Sequence, residues 1–426
     1  MALLCVGIAI VQLLPTHLEG DGLARYQVVD AIGHGQSLAG ARYPVWGALG
    51  SLPLYELGRA IGHPRLVTAH YNGALLAIGV VGLWVTLRPV IDVRILRCFL
   101  LLVLAGSMFA AHTEEFYGEM FSAVATGIGL VLAVTRPGWK AWALVVFGVA
   151  NIPAAAPALA LVVAWRIMRD KRASHVMALA AAAALIVLDA WLRHQSLLLG
   201  SYAADHGDKT VLPYSGRPGF SYPLALGLLA LLFSFGKGLV FFVPGLCISL
   251  SSAVRRRLGR PGNEIMTTWM IFVAGLLVVY GRWWGWDGGL FWGPRFFLVA
   301  CFPASLALAV VLVMVPHRTA AIAASLGLLV AAIYVGVNGA SLQSRSALLF
   351  CQSHAVSLPS LCSDVPEFSP LWRPVLDALH PTTAQWYFAA WGAVVLLRLG
   401  ARPANALLEA IRSRRGAGTL REPWRW

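Results

Sequence analysis

Long apolar runs alternate with short polar connections along almost the whole chain. The runs fall near 1–14, 66–88, 95–112, 117–135, 140–152, 154–169, 174–192, 222–252, 265–281, 296–315, 319–338 and 384–400. Many approach the roughly 20 residues that a helix needs to cross a hydrocarbon layer of about 30 Å. The ten-residue alternating segments of a membrane β-barrel do not occur. The expected fold class is therefore an all-α polytopic membrane protein of about twelve transmembrane helices. The first run lacks a basic leader and a small-residue cleavage site, and it reads as a retained helix. No internal repeat and no soluble domain emerge, so residues 1–426 read as a single transmembrane domain.

The connections are of two kinds. One set is short and rich in arginine: "TLRPVIDVR", "TRPGWK", "RIMRDKR", "RRRLGRPGNE", "PHRT" and the tail 401–426. The positive-inside rule assigns this set to the cytoplasm. The alternate connections, with 15–65, 193–221, 282–295 and 343–383 as the large ones, then face outward. Residues 23–62 are too polar to span and suggest juxtamembrane helices, although Pro44, Pro53 and several glycines favour a surface loop in the second half. Within 222–252 the phrase "SFGKG" suggests a short dipping helix, a break at Gly236–Gly238, and then one full span down to Arg255.

Composition narrows the picture. Hydrophobic residues make up 58% and charged residues 12%, about half the charged share of a soluble domain. The net charge of +14 does not indicate nucleic-acid binding, because the basic residues sit in the short connections. Cys5, Cys98, Cys247 and Cys301 lie within apolar runs as small hydrophobic filler. Cys351 and Cys362 share one polar loop and suit a disulfide if that loop meets an oxidising compartment.

Four polar clusters fall at the outward ends of helices: Glu19, Asp21 and Arg25; Glu115 and Glu119, four apart on one helical face; Lys237; and Arg282, Asp287 and Arg295 among tryptophans that include Trp284. Singly, each has an ordinary reading, as turn former, solvated helix end, aromatic belt or snorkelling cation. Lys237, flanked by glycines and apolar residues, is a functional candidate in its own right. Together the clusters suggest a cavity with carboxylates for proton or hydroxyl chemistry and cations for an anionic group. His17, His112 and His206 show no metal-ligand spacing.

These phrases resemble the GT-C superfamily of integral membrane glycosyltransferases. "EGDGLARYQVVDAIGHGQ" looks like the acidic opening of their first outer loop, with E-G-D standing in place of D-x-D. "EEFYGEMFSA" looks like the second acidic element, and "FSFGKGLVFFVPGL" and "WWGWDGGLFWGPRFFL" are similar to phrases in bacterial members. The resemblance implies a polyprenyl-phosphate sugar as donor and a glycan, lipid or protein acceptor in the cell envelope. It implies inverting transfer at the outer face of a bacterial cytoplasmic membrane, with no cofactor required beyond a possible divalent cation. Asp21, or alternatively Glu19, would be the base. Lys237, Arg295 and Arg282 would bind the donor phosphate, and Arg25, Glu115, Glu119, Asp287 and Trp284 would position acceptor and sugar. A secondary transporter or lipid flippase for an anionic substrate is the alternative, sharing a broken helix and many spans.

Overall fold

The computed structural model describes residues 1–195, 205–207, 209, 214–289, 291–341, 361–372 and 380–418. Helices dominate the described residues, and pairing of extended backbone is confined to two isolated bridges. In chain order the principal helices are α1 (Ala2–Gln12), α2 (Gly20–Gly33), α3 (Val45–Ala60), α4 (Pro64–Ala69), α5 (Tyr71–Leu87), α6 (Val93–Ala105), α7 (Gly118–Thr135), α8 (Trp139–Ala150), α9 (Ala156–Asp170) and α10 (Val176–His194). They continue with α11 (Leu224–Phe233), α12 (Gly259–Tyr280), α13 (Cys301–Val313), α14 (Thr319–Ser341) and α15 (Thr383–Gly418).

Among the described residues, six helical stretches are long and apolar enough to cross a membrane: Pro64–Leu87, Gly118–Thr135, Ala173–His194, Gly259–Tyr280, Arg295–Val313 and Thr319–Ser341. With the shorter apolar helices α1, α8 and α11 they form a polytopic membrane bundle. α7 and the Arg295–Val313 stretch are the most buried of the six and occupy its centre. Small residues bring α7 and α8 together: a Cβ at Gly129 would lie 2.7 Å from Val145, and one at Gly148 would lie 2.7 Å from Thr126. Close backbone approach of this kind is how helices associate where lipid offers no hydrophobic driving force.

Local chemistry explains several helix ends. Asp92 caps α6 by accepting from the N–H groups of Arg94 and Ile95. Pro64 opens α4, where a missing N–H costs nothing. The predicted span 95–112 is shorter as a helix, because the chain leaves α6 at Gly106 and turns through Ala111–Thr113 before α7.

Three expectations are corrected. The second juxtamembrane segment is not a loop: Val45–Ala60 is a helix that contains Pro53. Pro53 has no N–H to give to the carbonyl four residues before it, and the helix continues past it to Ala60. The stretch after Gly238 is not one span, since Leu239–Phe242 is a single turn followed by Pro244, a 3-10 turn at Cys247–Leu250 and the short helix Ser252–Arg257. Gly245 lies against the backbone carbonyl of Ala304, an approach that leaves no room for a side chain. The last helix is longer than the span 384–400 expected for it, because α15 runs through Pro403 to Gly418.

Contacts show which connections share an end of the bundle. His17 donates its backbone N–H to the carbonyl of Glu114 at 2.7 Å, Tyr222 bonds Arg282, and Gly40 bonds Arg193. The segments after α1, α6, α10 and α12 therefore meet at one end. Arg166, Asp170, His175 and Glu264 lie together at the other.

Candidate active site

The site begins with the junction of two acidic segments. Residues His17 and Glu115 pair as a short parallel bridge, which lays the start of α2 beside the start of α7. The buried side chain of Asn72 holds this junction by donating to the carbonyls of Glu115 at 2.6 Å and Tyr117 at 3.1 Å. Gly22 packs on the backbone of Phe116, and Gly118 leaves room for the Arg25 guanidinium, which a Cβ there would meet at 2.5 Å.

Arg295 enters from the third segment, at the head of the stretch that leads into α13. Its Nη1 donates to Asp21 Oδ2 at 3.0 Å, and its Nε lies 3.5 Å from Glu119 Oε1. The guanidinium stacks 3.8 Å from the centre of the Phe291 ring, with Phe296 and Tyr117 beside it. One arginine thus bridges two carboxylates contributed by residues far apart in sequence. Both Glu119 and Arg295 are largely buried, and Glu119 Oε2 has no hydrogen-bond partner. A narrow crevice of about 20 Å³, room for roughly one water, starts at Glu119, Ser122 and Thr126 and is otherwise apolar, lined by Phe272, Leu276 and Tyr280 among others.

Asp21 is further engaged by Tyr43, whose hydroxyl donates to Oδ1 at 2.5 Å. Arg25 sits one turn along α2 on the same face, its guanidinium 4.3 Å from the Tyr43 ring centre. Burial alone would raise the Asp21 carboxyl. The Arg295 charge, the Tyr43 hydroxyl and Arg25 outweigh it and hold the carboxyl below its ordinary value of 3.8. The Tyr43 hydroxyl moves up in turn, through burial and then its bond to the Asp21 anion. Asp21 is therefore an anion at neutral pH.

Lys237 stands behind this cluster. Its ammonium donates to the carbonyls of Gly289 at 2.6 Å, Phe291 at 2.5 Å and Gly293 at 3.3 Å. All three donors of the lysine are engaged by one loop, which winds around it through glycines of positive φ at Gly288, Gly289 and Gly293. That loop carries Phe291, the ring beneath Arg295. The lysine fixes the platform on which the arginine rests.

The remaining candidates divide. Glu115 meets the hydroxyl of Tyr117 at the edge of the cluster. Glu19 is the exposed N-cap residue of α2. Asp287 accepts the backbone N–H of Gly289 at 3.1 Å; burial raises the neighbouring Asp364 carboxyl, and the Asp287 charge adds to that rise. Arg282 is exposed and donates Nε to the carbonyl of Phe220, apart from the carboxylates. Trp284 packs over Gly207. Cys362 is disulfide-bonded, and its expected partner Cys351 lies outside the described residues. Among the described residues no group of three or more His, Cys, Asp or Glu is placed to hold a metal ion. The Arg295 guanidinium stands between Asp21 and Glu119.

Sequence reading passed over Tyr43, Tyr117, Phe291 and Asn72. The aromatic loop flagged Phe291 only as one ring among many, and nothing in "ARYPVWG" distinguishes Tyr43 before α2 and α3 are brought together.

The fold and the site define a polytopic helical membrane protein with a buried carboxylate–guanidinium centre at one end of the bundle. Comparison with solved structures finds ArnT from Cupriavidus metallidurans, in a crystal structure bound to undecaprenyl phosphate. The likeness has a TM-score of 0.49 and 12% sequence identity, covering 95% of this chain and 76% of that one. No protein-family model matches the sequence, and comparison with curated proteins finds no match.

Proposed function

We propose that this chain is a membrane glycosyltransferase of the GT-C kind. It would move a sugar from a polyprenyl-phosphate donor to a cell-envelope acceptor, at the outer face of a bacterial cytoplasmic membrane. One observation carries the reading: three of the four phrases that resemble this superfamily, widely separated in sequence, converge on the ion-paired cluster Asp21–Arg295–Glu119. A transporter reading does not require the acidic opening and the "WGPR" arginine to touch.

The chemistry follows from the donors and acceptors present. Arg295 offers a fork suited to a phosphate, and Phe291 keeps its plane fixed. A donor phosphate would compete with Asp21 and Glu119 for that fork. Relieved of the guanidinium, Asp21 would become more basic and could accept the acceptor hydroxyl proton as the oxygen attacks the anomeric carbon. The bond to the lipid phosphate oxygen breaks as the new glycosidic bond forms, inverting the centre. The departing phosphate keeps the electron pair, and Arg295 stabilises it. Glu119 would orient sugar hydroxyls, with Lys237 as a support rather than a direct contact.

The test compares cell-envelope glycans by mass spectrometry in a deletion strain complemented with wild type or with Asp21→Asn. The reading expects a sugar modification restored by wild type only. Glycans identical in the deletion and wild-type strains would overturn it.

A further inference from the structure

Taking Asp21 as the reacting carboxylate of that proposed reaction, we infer that Asp189 and Arg193 of α10 form a buried positioning pair that holds Tyr43 on Asp21. Both residues lie in a membrane-spanning stretch and are almost completely buried, at 1% and 2% exposure. An intramembrane charge pair needs explanation beyond its own attraction, because its desolvation cost cancels much of the Coulomb gain. Here the remaining hydrogen-bonding capacity of the pair is taken up by one loop.

Arg193 Nε donates to Asp189 Oδ2 at 2.8 Å, and its Nη2 lies 2.6 Å from the same oxygen. Nη1 donates to the carbonyls of Ala41 at 3.2 Å and Arg42 at 3.1 Å. The Arg193 carbonyl accepts the Gly40 N–H at 2.7 Å. Asp189 Oδ1 accepts the Val45 N–H at 2.9 Å, where Pro44 leaves the start of α3 without a capping side chain of its own. The backbone is thus fixed at residues 40, 41, 42 and 45, on both sides of Tyr43. Asn151 extends the same support by accepting the Gly47 N–H at 2.9 Å.

The groups that face Asp21 are Arg295, Tyr43, Arg25 from its own helix, Tyr117 ahead of α7, and Glu119 across the guanidinium. Of these, Tyr43 is the one carried by the bracketed loop. Withdrawing its hydroxyl removes a donor from the anion, so the carboxyl must titrate at higher pH.

The test uses the full-length purified protein without substrate. Infrared spectroscopy follows the carboxylate band that disappears in Asp21→Asn and records its titration midpoint. Tyr43→Phe is expected to raise that midpoint by roughly one pH unit. Arg193→Lys keeps a charge beside Asp189 but cannot reach both it and the two carbonyls. It is expected to raise the midpoint similarly, and combining it with Tyr43→Phe should add little. Should Arg193→Lys fail to fold by thermal melting, the neutral pair Asp189→Asn with Arg193→Gln takes its place, with the same expected rise. A folded variant of either kind with an unmoved Asp21 midpoint overturns the positioning pair. That failure differs from loss of the functional reading, which would appear as full sugar transfer by Asp21→Asn.

Discussion

Two arginines in this molecule each bridge a pair of carboxylates, one at either end of the bundle, and they are built differently. Arg166 binds Asp170 at 2.5 Å and Glu264 at 2.6 Å, with a further bond to the carbonyl of Ala133. It joins α9, α12 and α7 through short, direct contacts, and His175 closes the group by meeting Asp170 at 3.2 Å. Arg295 has longer contacts of 3.0 and 3.5 Å, aromatic rings against its face, and a narrow crevice beginning at its second carboxylate. The first arrangement is short and direct, with Nε the one nitrogen of the Arg166 guanidinium left without a partner. The second holds its carboxylates at longer range, with Glu119 Oε2 and Arg295 Nε both left without a hydrogen-bond partner. The same residue types make a staple in one place and a looser, stacked centre in the other, and the difference lies in distance, stacking and the unused acceptor of Glu119.

That contrast can be broken by substitution. The largest effect is expected at Asp21: Asp21→Asn should reduce sugar transfer by about 10³-fold, the middle of the range for losing a general base. Binding of undecaprenyl phosphate to the purified protein should persist, and native mass spectrometry would register it; a variant that still transfers sugar at the wild-type rate removes Asp21 from the chemistry. Arg166→Gln should act on stability alone, lowering it by about 3 kcal/mol through two carboxylates left without their cation. Thermal melts should fall while undecaprenyl phosphate affinity holds, and a large loss of affinity would erase the distinction between the two ends. Arg295→Gln should do the opposite, weakening undecaprenyl phosphate binding about 30-fold, as for a lost charge-assisted contact. Affinity equal to wild type in titration calorimetry would contradict the phosphate-binding role.

The smallest effect is in pH. Asp21 titrates below its ordinary value in the folded chain, so its contribution to stability is fully present above 3.8. It is lost only as pH falls through the lower folded value. The melting difference between wild type and Asp21→Asn should therefore be flat across neutral and mildly acidic pH and close only in stronger acid. A difference that closes near pH 6 would mean that the Arg295 contact does not hold Asp21 ionised.

Much of this was legible in the sequence because apolar length and charge placement are local properties. The runs that became α5, α7, α12 and α14 were located to within a few residues, apart from the longer N-terminal reach of α12. Asp21, Glu119 and Arg295 were each marked as candidates, since a charge beside an apolar run stands out wherever it falls. What stayed hidden depends on distant partners. The α3 helix has Pro44 at its start and Pro53 within it, and its first N–H groups are satisfied by Asp189 and Asn151, more than a hundred residues away. Asp189 falls inside the predicted span 174–192 and Arg193 opens the predicted loop 193–221, and their partners at residues 40–45 lie about 150 residues earlier in the chain. Lys237 was read as waiting for a phosphate because its carbonyl partners lie more than fifty residues further along the chain.

Lys237 sits within a ring of backbone carbonyls. A ring of backbone carbonyls around a positive centre is how proteins strip water from a potassium or sodium ion. Here the positive centre is tethered to the chain, so it can neither dilute away nor exchange with the medium. The loop beneath Arg295 is thereby pinned to the broken segment after α11, which supplies the cation that its carbonyls surround.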